Sequence, residues 1–161
     1  MRKPKIYLET SVISHLYALD APDKMNDTLK LWEQIKMGKY EVFTSAVAMR
    51  EINNCDEPKR SLLFEYLNQI KYNFIAVDEE TISIAQKFID FGILRNKSFD
   101  DCQHIAAAII SECDIIISWN FKHIVNHKTI QGVKAITALN GLPDILIYTP
   151  SILVGGDDYD T

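Results

Sequence analysis

The stretch Lys5-Ile6-Tyr7-Leu8-Glu9-Thr10-Ser11-Val12-Ile13 decides the fold. Lys5 to Leu8 reads as a short strand, and Thr10 and Ser11 place two hydroxyls where a helix N-cap is wanted before Val12, Ile13 and Leu16. A strand therefore runs straight into a helix. The same alternation recurs downstream. A helix is predicted over about Asp23 to Met37, with Met25, Leu29, Trp32 and Ile35 on one face and Gly38 as its stop. Glu41 to Thr44 reads as a second strand, and Ser45 as the cap of a helix reaching about Asn53. After an interruption ending at Pro58, a helical stripe resumes from Leu62 to Ile70.

Asn73 to Val77 is expected as a strand, followed by a helix through Ile84, Ala85 and Phe88 that ends near Gly92. Ser98 precedes another helix whose apolar face is Cys102, Ile105, Ala106, Ile109 and Cys113. The continuous run Ile115-Ile116-Ile117-Ser118 has the character of a strand buried on both sheet faces. A short helix over Phe121 to Asn126, a strand at Val133 to Ile136 and a last strand at Ile145 to Tyr148 complete the expected order. Strands alternating with helices imply a mostly parallel sheet with helices on both faces, built from right-handed crossovers.

With 161 residues the chain has material for one core, expected over residues 1–154, and the acidic stretch 155–161 is expected to be a flexible tail. The 22 acidic and 17 basic residues give a formal charge of −5, and no basic block marks a non-specific nucleic-acid binder. No apolar run suggests a membrane span, and the N-terminal residues lead into a strand rather than a signal-peptide core, so a cytoplasmic location is expected. Cys55, Cys102 and Cys113 form no CxxC pair, which indicates neither a disulfide framework nor a zinc knuckle.

In a parallel sheet, ligands bind beyond the carboxyl ends of the strands where strand order reverses. That rule selects Glu9 after the first strand and Asn120 after the buried isoleucine strand. Asp100, Asp101 and Glu51 are further acidic groups placed where they can converge with them. Taken singly, Asp100 and Asp101 also suit the positive end of a helix dipole, and Glu51 a solvated helix face. A converged set of hard oxygen ligands favours Mg²⁺ or Mn²⁺, and such an ion suits phosphodiester hydrolysis. His123 and His127 lack a third partner for zinc, and Lys122, His123 and Lys128 form the best local phosphate-contact candidate.

Four blocks in order resemble the PIN-domain family, which includes the VapC-like ribonuclease toxins. They are Ile6-Tyr7-Leu8-Glu9-Thr10-Ser11-Val12-Ile13, Ser45-Ala46-Val47-Ala48-Met49-Arg50-Glu51-Ile52, Asp101-Cys102-Gln103-His104-Ile105-Ala106-Ala107-Ala108, and Ile115-Ile116-Ile117-Ser118-Trp119-Asn120-Phe121. The resemblance implies a three-layer α/β/α fold with a central sheet of four to five strands. It implies metal binding by Glu9, Glu51 and Asp101, with Asn120 beside them, and Thr10, Ser11 and Ser118 orienting a carboxylate, water or substrate. It further implies RNA as substrate, a cognate antitoxin protein and a homodimer. Glu9 and Asn120 stand where the family usually has Asp, so one well-held metal is expected, with any second ion arriving with the substrate phosphate. The same departures motivate the alternative of a PIN-fold protein that binds RNA or a partner without cutting.

Overall fold

The protein is described by a computed structural model over residues 2–155. Five strands, β1 (Lys5–Leu8), β2 (Glu41–Ser45), β3 (Asn73–Ile75), β4 (Ile115–Ile117) and β5 (Leu146–Tyr148), form one sheet in the order β3-β2-β1-β4-β5. Every neighbouring pair is parallel, with Ile6 opposite both Val42 and Ile115. All five strands therefore present their carboxyl ends at one edge, and order reverses between β1 and β4.

The connecting helices are α1 (Thr10–Ser14), α2 (Pro22–Lys36), α3 (Ala46–Asn53), α4 (Lys59–Leu67), α5 (Glu79–Asp90), α6 (Phe99–Ile110), α7 (His127–Leu139) and α8 (Pro150–Val154). The period-two alternation of β1 divides the core. Ile6 and Leu8 pack with Val12, Leu16, Leu31, Trp32, Ile52 and Leu63 on one face, whereas Tyr7 lies with Phe88, Ile105, Ile109 and Ile136 on the other. Two hydrophobic layers thus cover the sheet, giving the expected α/β/α, PIN-like architecture.

Gly38 and Gly92 terminate α2 and α5 at φ of 81° and 72°, a left-handed conformation that glycine adopts without a Cβ penalty. At the amino end of the sheet, Asp114 accepts from the Arg2 guanidinium at 2.7 and 3.0 Å and from the Lys5 N–H at 2.8 Å, which fixes the start of β1 against β4.

Four local expectations are corrected. Val133 to Ile136 is not a strand but part of α7, whose buried positions Thr129, Gly132, Val133, Ile136 and Thr137 follow helical spacing. Phe121 to Asn126 is a series of turns, held by Asn126 Nδ2 donating to the carbonyls of Phe121 and Lys122, rather than a helix. The cap of α1 is the Glu9 carboxylate, which accepts from the Ser11 N–H, and not a hydroxyl. Ser45 precedes α3 but makes no side-chain cap; its hydroxyl is used elsewhere. Helix α8 has no counterpart in the expected order. The expected tail, apart from Gly155, lies outside the described residues.

Candidate functional site

Glu9 leaves the end of β1 and is only 4% exposed. Its Oε2 accepts from the Ser11 N–H at 2.8 Å, and its Oε1 accepts from the hydroxyls of Ser11 at 2.6 Å and Ser118 at 2.5 Å. Ser118 comes from the end of β4, so these bonds join the two strands that flank the reversal of order. The cluster is closed further by backbone donors, since Ser11 Oγ accepts from the Trp119 N–H at 2.8 Å and Ser118 Oγ from the Asn120 N–H at 2.9 Å. A buried carboxylate held by three donors is well solvated by protein in place of water.

Glu51, in the second turn of α3, is half-buried. Its Oε1 accepts from Thr10 Oγ1 at 2.8 Å and lies 2.6 Å from Nε2 of His104, a fully buried residue of α6. The other ring nitrogen, Nδ1, is 2.6 Å from the Tyr7 hydroxyl, itself 2.7 Å from Ser45 Oγ. The Nε2–H of His104 donates to Glu51; at Nδ1 the neutral ring accepts from the Tyr7 hydroxyl and the imidazolium donates to it, so no buried polar side-chain atom of the chain Ser45, Tyr7, His104, Glu51 and Thr10 lacks a partner. Burial pushes the Glu51 carboxyl up, but the hydrogen bonds from His104 and Thr10 and the nearby positive charge outweigh it and hold it below its usual range. Burial pushes His104 down, and its bond to Glu51 with the surrounding carboxylates raises it on balance.

Asp101 stands in the first turn of α6, where Asn120 Nδ2 donates to its Oδ1 at 3.3 Å. Burial and the negative charges of Glu9, Glu51 and Asp100, partly offset by His104, push its carboxyl up to about 6. Burial is the larger cause, and the neighbouring carboxylates add to it with too little positive charge between them. Asn120 also accepts at its Oδ1 from the His123 N–H at 2.9 Å, which ties the site to the loop after β4. Asp100 turns outward instead and meets Arg50 at 2.8 Å.

The structure thus gathers Glu9, Glu51, Asp101 and Asn120, with Thr10, Ser11 and Ser118 bonded among them, at the carboxyl ends of β1 and β4. Among the described residues no three His, Cys, Asp or Glu side chains stand close enough to share one metal ion. The donor set is nevertheless all hard oxygen, and the mutual repulsion felt at Asp101 is what a divalent cation relieves. The residues fit such an ion by the chemistry of their oxygens.

Three features were not foreseen from the residues alone. The Tyr7 and Ser45 hydroxyls complete the support of Glu51; the signal is a tyrosine set between Ile6 and Leu8 of β1. Lys24 of α2 lies 5.2 Å from the ring centroid of exposed Phe121 and 5.7 Å from that of Trp119, forming a cation-aromatic cluster after Asn120. Arg95 and Lys97 join Lys122, His123 and Lys128 around a cleft of about 320 Å³. His123 lies in the loop and His127 opens α7, so they do not share a helix turn.

No family model matches the chain, and no curated protein matches it by sequence. A solved structure of VapBC2 from Rickettsia felis bound to a DNA fragment from their promoter is similar in fold, with a TM-score of 0.51 at 10% sequence identity, over 90% of this chain and 98% of that one. At that identity the likeness is one of fold.

Proposed function

We propose that the chain is a Mg²⁺- or Mn²⁺-dependent endoribonuclease that hydrolyses RNA phosphodiester bonds, the toxin of a toxin-antitoxin pair. The observation that carries this reading is the convergence of Glu9, Glu51 and Asp101 at the β1 and β4 ends, where burial and then the neighbouring negative charges raise Asp101 to about 6. The fold likeness to VapBC2 supports it. In this reading Glu9, Glu51 and Asp101 hold the cation, which when bound activates water and neutralises charge on the phosphate. Ser11 and Ser118 fix the Glu9 carboxylate, His104 and Thr10 fix Glu51, and Asn120 aligns Asp101. The neutral amide of Asn120 adds no charge, which favours one resident ion.

Purified protein with Mn²⁺ is expected to cleave RNA, and Asp101→Asn and Glu9→Gln to abolish cleavage. Activity that survives both changes, or persists in EDTA, overturns the reading. Calorimetric titration gives a second readout: Mn²⁺ binding to the native chain should be lost in Glu51→Gln. The alternative, a PIN-fold protein that binds RNA or a partner without cutting, is favoured by the saturation of the Glu9 oxygens with internal hydrogen bonds. It prevails if the native chain binds no Mn²⁺. A cognate antitoxin, a homodimeric state and a cytoplasmic location belong to the first reading.

A further inference from the structure

Beside the carboxylate cluster, the segment before α6 and the loop between β4 and α7 face each other across a cleft of about 320 Å³. Arg95 and Lys97 line one wall, and Lys122, His123 and Lys128 the other. In a chain of net charge −5, no carboxylate among the described residues lines this cleft. None of its four Lys and Arg side chains takes part in an ion pair among the described residues. Elsewhere the described arginines are paired, Arg2 to Asp114, Arg50 to Asp100 and Arg60 to Glu57. Burial, then the charges of Lys122 and Lys97, pushes the His123 imidazole below its usual range, so cations from both walls act on the same ring.

Four like charges held together without counter-charge repel one another, and the fold still holds the second wall rigidly. Asn126 Nδ2 donates to the carbonyls of Phe121 at 3.0 Å and Lys122 at 3.1 Å, and buried Thr129 donates to the His123 carbonyl at 2.7 Å. Its buried lining combines the hydroxyls of Ser98 and Thr129 with the side chains of Ile93 and Leu94. The cleft is tied to the carboxylates through the chain and through Asn120. Lys97 lies four residues before Asp101, and His123 is hydrogen-bonded to Asn120, which in turn donates to Asp101.

We infer that this cleft is a phosphate-binding subsite for a single nucleic-acid strand, with Arg95, Lys97, Lys122 and Lys128 contacting the backbone next to the position held at the carboxylates. Its size, about 320 Å³, admits one or two phosphate groups of a backbone. Its charge supplies locally the attraction that the acidic chain lacks overall. The identity of the ligand as the nuclease substrate rests on the function proposed above; the cationic cleft itself does not.

The test is fluorescence anisotropy of an end-labelled single-stranded RNA in EDTA, which removes any contribution from a metal. Lys97→Gln/Lys122→Gln is expected to weaken binding roughly tenfold and to flatten the dependence of log affinity on log salt by ~0.7 per lost contact. Lys3→Gln/Lys71→Gln, at the amino end of the sheet, should leave both unchanged, and circular dichroism should show all variants folded. Native affinity and slope in the cleft variant overturn the subsite. So does displacement of the RNA by polyglutamate at equal charge concentration, which would mark an acidic protein segment as the ligand. Inorganic phosphate that competes only in large molar excess supports a strand; phosphate binding without RNA binding overturns it. The two readings fail separately. RNA bound through the cleft but never cleaved in Mn²⁺ removes the nuclease, whereas cleavage abolished by Asp101→Asn, with binding indifferent to the cleft cations, removes the subsite.

Discussion

Asp101 carries a cost that its neighbours impose. Its folded-state value near 6 lies above the ordinary 3.8 because burial and the charges of Glu9 and Glu51 disfavour its ionised form. Between about pH 4 and 6 the folded chain keeps a proton that the unfolded chain has released, so this group's effect on stability becomes unfavourable as pH rises through that window and is fully unfavourable above it. In EDTA, Asp101→Asn should therefore stabilise the fold at pH 7.5 by on the order of 1–2 kcal/mol, after allowance for solvent screening, and give no gain at pH 4. Urea unfolding at the two pH values measures this; an equal effect at both would refute the electrostatic origin. Glu51 has the opposite sign, since its lowered value gives stability above its ordinary 4.5 that is lost as pH falls through the folded value. At this level the sequence was informative where chemistry is local. Glu9 and Asn120 stand out because they follow strands, but Thr10 and Ser11 read as the cap of α1 because hydroxyls are favoured caps. The Glu9 carboxylate takes that place because it reaches the Ser11 N–H while receiving two hydroxyls. The Tyr7 and Ser45 contribution was hidden, since their meeting with His104 spans 97 residues of sequence for Tyr7.

Helix α7 shows where pattern reading fails and why. Its buried stripe includes Thr129, Gly132 and Thr137, so apolar periodicity is diluted and the β-branched Val133 and Ile136 read as a strand. The structure explains the glycine. A Cβ on Gly132 would stand 2.7 Å from three side-chain atoms of Ile93, so the helix and the segment after α5 meet at a distance only glycine allows. Gly132→Ala gains about 1 kcal/mol in helix propensity but overpacks a buried contact, which costs about 1–3 kcal/mol. Net destabilisation of about 1 kcal/mol is expected by urea unfolding. Ile93→Ala should cost less in the Gly132→Ala background than alone, and strictly additive effects would show that the contact is not shared. By contrast β1, β4 and the helix bearing Asp101 were legible, because continuous apolar strands and a long apolar helix face depend on few exceptions.

The sheet order was not legible, because periodicity identifies strands without ranking neighbours; it follows from packing around β1. The interior position of β4, between β1 and β5, is legible from its unbroken isoleucines, which are buried on both faces. The outer strands β3 and β5 are three residues long, which limits open-ended pairing at the edges. Phe74, Ile82 and Phe91 are nonetheless exposed. A homodimer is expected, and light scattering at micromolar concentration should give twice the 18.4 kDa of one chain, a single-chain mass counting against it. No helix among the described residues is long and apolar enough to cross a membrane. The bond between Glu9 and Ser118 closes a separation of 109 residues. A ribosome that has released the first hundred residues has made Glu9 and Glu51 but neither Asp101 nor the serine that completes the grip on Glu9. The carboxylate cluster is therefore assembled only once β4 has been made, and a nascent or truncated chain ending before β4 lacks the serine that grips Glu9.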